Sequence, residues 1–99
     1  MSDKPAISFK EAIELGKYQV DYLRRFDEWK NLDRQIQYQY IVQAIMNRRV
    51  QLRRQWALLA NQPHYSEKPQ LLEAQKKVEE SQRELNEDEE RLMIEYAGA

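Results

Sequence analysis

The chain has 99 residues, with 16 Lys and Arg against 17 Asp and Glu and no cysteine. That length carries one domain, and the lack of thiols excludes a disulfide scaffold and any zinc site built on thiolates. Near-zero net charge counts against function by bulk attraction to nucleic acid, and no stretch approaches the roughly 20 apolar residues of a membrane helix.

One third of the residues are charged, 41% are hydrophobic, and breakers are rare: two glycines, with prolines only at 5, 63 and 69. This composition predicts an all-α fold, a long helical hairpin or a three-helix bundle with coiled-coil character. The opening Met-Ser-Asp-Lys-Pro lacks the apolar run of a signal peptide. Without cysteine the chain also suits a reducing compartment, so a cytoplasmic location is expected.

In chain order, residues 1–7 read as a flexible tail. Ser8-Phe9-Lys10-Glu11 has the form of a capping box, with Ile7 placed to staple onto Ala12, so a helix is predicted from residue 8 to about 30. Gly16 inside it is a tolerable defect of about 1 kcal/mol against Ala. A second helix is predicted over 32–60. The two are either continuous, giving a rod of about 78 Å, or broken at Lys30-Asn31-Leu32-Asp33, where Asn31 and Asp33 suit helix ends. Pro63 and Pro69 bound a turn over 61–68. A last helix follows over 69–96, with Pro69 in its first turn and Gly98 beyond its end.

A spacing of 100° per residue gives the first helix two opposed apolar stripes. One is Phe9, Ala12, Ile13, Gly16, Val20 and Leu23; the other is Leu15, Tyr18, Tyr22, Phe26 and Trp29. The second helix has a strong face of Tyr38, Ile41, Val42, Ile45, Leu52, Trp56 and Leu59. Its weaker face is Leu32, Ile36, Tyr40, Val50 and Ala57, interrupted by Asn47 and Arg54. The third has one narrow seam of Leu71, Val78, Leu85 and Leu92 at heptad spacing, with weak alternate positions at Ser81, Asp88 and Glu95. The first two helices thus own more apolar surface than the third can cover, which predicts a protein partner or self-assembly.

The charges divide unevenly. Residues 1–61 carry eleven Lys/Arg against seven Asp/Glu, and residues 62–99 carry five against ten. Arg48, Arg49, Arg53 and Arg54 form the sharpest basic cluster. If the last helix folds back, Arg48 and Arg49 fall near the level of Glu79, Glu80 and Glu84. His64 is the sole histidine and has no metal-binding or catalytic companion nearby. The acidic run from Glu79 to Glu90 reads as a solvated face paired with Lys76, Lys77, Arg83 and Arg91. Catalysis, metals and cofactors are therefore not expected.

Together these patterns predict a small adaptor, regulator or structural subunit. It would act in a homo- or hetero-oligomer through apolar helix faces. The expected contact residues are Tyr18, Tyr22, Phe26 and Trp29 as anchors, with Arg48, Arg49, Arg53 and Arg54 as polar determinants. The alternative is a nucleic-acid-binding helical protein that uses the same arginines.

Overall fold

The structure, a computed structural model, describes residues 4–97, so residues 1–3 of the expected tail and Gly98 lie outside the described residues. All regular structure among them is helical: α1 (Phe9–Glu14), α2 (Val20–Leu23), α3 (Asp27–Lys30), α4 (Arg34–Ala60) and α5 (Pro69–Ala97), with a 3₁₀ turn at Tyr65–Glu67.

The capping box starts α1. Ser8 Oγ accepts from the Glu11 amide at 3.1 Å, and Glu11 Oε1 accepts from the Ser8 amide. The single helix expected over 8–30 does not form, and Gly16 is the reason. It sits at φ +79 and closes a Schellman motif, with the Gly16 amide donating to Ile13 O and the Lys17 amide to Ala12 O. A Cβ there would lie 2.9 Å from the Arg48 backbone, so the glycine also permits α1 to abut α4. Gly16 is thus a helix stop, not a tolerated defect. Extended residues Gln19 and Phe26 then start the one-turn helices α2 and α3.

The break after Lys30 is real. Asp33 caps α4, its Oδ1 accepting from the Ile36 amide at 2.9 Å. Nothing interrupts α4 before the 61–68 turn, where His64 adopts the left-handed conformation at φ 56. Pro69 opens α5, where a missing amide costs nothing.

Packing follows from these stops. α4 and α5 run antiparallel. Trp56 Nε1 donates to Glu79, Arg49 reaches Glu89, and Arg34 Nη2 donates to the Glu95 carbonyl. At that end Tyr38 also stacks on Tyr96, while the Arg34 guanidinium lies over the Tyr96 ring. The α5 seam of Val78, Leu85 and Leu92 is buried as predicted, but the alternate positions facing α4 include Gln75, Glu89 and Tyr96, not Glu95.

The N-terminal segment packs on a second side of α4. Three amide side chains of α4 donate to carbonyls at the ends of the short helices: Gln37 to Trp29, Asn47 to Ile13 and Gln51 to Leu15. Ile13 O and Trp29 O also accept from the Gly16 and Leu32 amides, so the side chains add a second bond at these helix C-termini. The inner faces meet in a core that includes Ala12, Leu23, Ile41, Ala44, Ile45, Leu52 and Leu85. Among the described residues no helix is long and apolar enough to cross a membrane.

Candidate partner-binding surface

The expected anchor row is interior. Tyr18, Phe26 and Trp29 are 6%, 6% and 3% exposed, and Tyr22 is half-buried against the same cluster. Phe9 is their hub, with ring centroids 5.5 Å from Phe26, 6.2 Å from Trp29 and 5.0 Å from Tyr40. The physical reason is the break at Gly16 and the extended residues Gln19 and Phe26. A continuous helix would have turned its two stripes to opposite sides; a folded-up segment turns both inward. This corrects the expectation that these four residues form a contact surface.

Tyr18 has a specific role in that interior. Its hydroxyl donates to Asp88 Oδ2 at 2.6 Å, and Asp88 Oδ1 meets Arg91 at 3.0 Å. Burial raises the pKa of the Tyr18 hydroxyl well above its ordinary value, and the Asp88 hydrogen bond raises it further.

The arginine cluster is divided among three directions. Arg49 is half-buried, with Nη2 2.9 Å from Glu89 Oε1 and 3.1 Å from Asn86 Oδ1. Its partner lies nearer the C-terminus than the expected Glu79, Glu80 and Glu84. Arg48 bonds Gln51 and lies beside Gly16. Arg53, though exposed, lines a cleft with Arg49, Gln82, Leu85 and Asn86, and Arg54 is exposed to solvent. The four guanidinium groups therefore do not converge on one ligand. His64 is exposed in the turn, 3.5 Å from Glu67.

What remains open is the face of α4 opposite its core side. Ile36, Val50 and Ala57, all from the weaker predicted face, stay exposed, while Tyr40 is covered by Phe9 and Leu32 packs against the core. Met46 extends the patch at 59% exposure, while the exposed Leu58 lines a separate apolar cleft with Gln55, Leu59, Ala74 and Val78 between α4 and α5. Gln39, Gln43, Arg53 and Arg54 complete this face, and α4 contains five arginines and no carboxylate.

No protein family, curated protein or solved structure matches this chain. The α4 face is therefore the candidate site on its own chemistry. Beside it, Phe9, Lys10, Ile13, Glu14, Tyr40 and Gln43 line a groove of about 330 Å³ between α1 and α4. Sequence reasoning had weighed this face as the lesser one. The signal that ranks it higher is the seven-residue spacing of Ile36, Gln43, Val50 and Ala57, out of phase with the core positions.

Proposed function

We propose that the protein is a helical protein–protein interaction module, an adaptor or structural subunit, that binds through the outward face of α4. One observation carries the reading: a solvent-facing row of Ile36, Met46, Val50 and Ala57 on a helix whose opposite face is already committed to its own core. Each large apolar side chain fully buried on association contributes about 1.5–3 kcal/mol. Association itself costs about 4–15 kcal/mol, so the row must engage as a unit, as in coiled-coil packing of one helix along another. Arg53 and Arg54 at its border supply polar selectivity. This reading assigns no reaction to the chain.

The test is site-specific photo-crosslinking in cells that make the protein. A benzophenone amino acid at Val50 is expected to give a discrete higher-mass adduct that disappears when Met46→Glu is added. The same probe at the exposed Arg83 of α5 gives none. Absence of any adduct at Val50 would overturn the reading.

A further inference from the structure

Resting on that reading of α4, we infer that the occupant of its outward face is a second copy of this chain. The second α4 lies antiparallel to the first, about a two-fold axis between Met46 and Val50.

The argument is one of register. Ile36, Gln39, Gln43, Met46, Val50, Arg53, Ala57 and Ala60 follow one another three and four residues apart, the spacing of a heptad seam. The set maps onto itself when the helix is reversed about its midpoint. Met46 then meets the second copy's Val50, Gln43 meets Arg53, Gln39 meets Ala57, and Ile36 meets Ala60. The centre is apolar on apolar. Toward the ends large side chains face small ones, and the guanidinium group of Arg53 faces an amide carbonyl that can accept from it. A parallel pair would instead set Arg53 on Arg53 with no carboxylate anywhere on α4 to relieve it.

The border of the seam agrees. A two-fold axis keeps the α1 edges of both copies on the same side. Arg54, toward that edge, then falls at the level of residue 42 of the other copy, next to the groove wall that carries Glu14 and Gln43. The Glu14 carboxylate can accept from Arg54 there twice by symmetry, with Lys10 on the same groove. Such a contact uses the same patch on both copies, so it closes at two. Docking α4 of one copy on the acidic outer face of α5 of the next would not close.

The test uses the full chain. Light scattering is expected to give twice the 12.0 kDa chain mass, and Met46→Glu is expected to weaken dimerisation more than tenfold with helix content unchanged. With no native cysteine, Gln35→Cys takes a single spin label. The antiparallel pair predicts a separation of about 40 Å between the two labels, whereas a parallel pair brings them within about 15 Å. A short separation overturns the antiparallel arrangement, and an open concentration-dependent series of masses, or a monomer at about 100 µM, overturns the dimer. A monomer whose Val50 still crosslinks to a different protein in cells overturns the dimer and leaves the module reading standing.

Discussion

The Tyr18 hydroxyl bonds Asp88 Oδ2 at 2.6 Å and ties the irregular N-terminal segment to the middle of α5 across 70 positions of sequence. Tyr18 lies just after the helix stop at Gly16, so its side chain is free to leave the α1 axis and reach the far helix. Tyr18→Phe keeps the ring and removes the bond. It is expected to cost about 1.5–3 kcal/mol in denaturant unfolding, the range for a hydrogen bond to a charged group.

The same substitution changes the response to alkali. Tyr18 has its hydroxyl pKa raised in the folded chain, so its contribution to stability is complete below the ordinary value of 10.0 and is lost as pH climbs above it. Tyr96 is also raised, chiefly by burial and then by Glu95. Unfolding midpoints measured from pH 8 to 12 are expected to fall above pH 10 in the parent chain and to fall less in Tyr18→Phe. Identical slopes for the two proteins would show that the Tyr18 hydroxyl is not held in its buried site beside Asp88 in solution.

Gly16→Ala puts a side chain at φ +79 and a Cβ 2.9 Å from the Arg48 backbone. Left-handed strain alone costs about 1–3 kcal/mol, and the contact with a helix backbone adds to it. A loss of at least 2 kcal/mol is expected. A gain in stability would mean that α1 continues past Leu15.

Trp29→Ala and Met46→Glu separate core from surface. Trp29 is 3% exposed and its removal is expected to cost about 3–5 kcal/mol in unfolding free energy. Met46 is 59% exposed, so Met46→Glu should leave the unfolding free energy of the isolated protomer within about 0.5 kcal/mol. Thermal and chemical melts at low concentration, where protomers are dissociated, decide between these outcomes.

Gln75 is 7% exposed at the α4–α5 seam, and its Nε2 has no hydrogen-bond partner. Burying an unsatisfied amide is costly, and a leucine of similar length fills the same space. Gln75→Leu is expected to raise stability by about 1 kcal/mol. A loss would mean that the amide is engaged in solution.

Much of the architecture was legible in residue spacing. The capping box at Ser8, the turn between Pro63 and Pro69, and the Leu85–Leu92 seam all read directly, because each depends on neighbours within one or two turns. The folding-up of residues 9–32 did not. Its cause is Gly16, which ends α1 in a left-handed Schellman turn and lies against the Arg48 backbone, 32 positions away, and a helical wheel assumes the helix it is drawn for. That assumption sent Tyr18, Phe26 and Trp29 to a surface they do not occupy. The outward row of α4 was visible as the weaker stripe.

The amide contacts from Gln37, Asn47 and Gln51 have a thermodynamic consequence. α2 and α3 are single turns, far shorter than a helix that persists alone in water. The first third of the chain is thus borrowed order: it holds through its packing on α4 and α5, through those donors and through the Tyr18–Asp88 bond. Stiffening α4 from outside is expected to slow the opening of residues 9–32, so amide exchange in that segment would register occupancy of the neighbouring face of the helix.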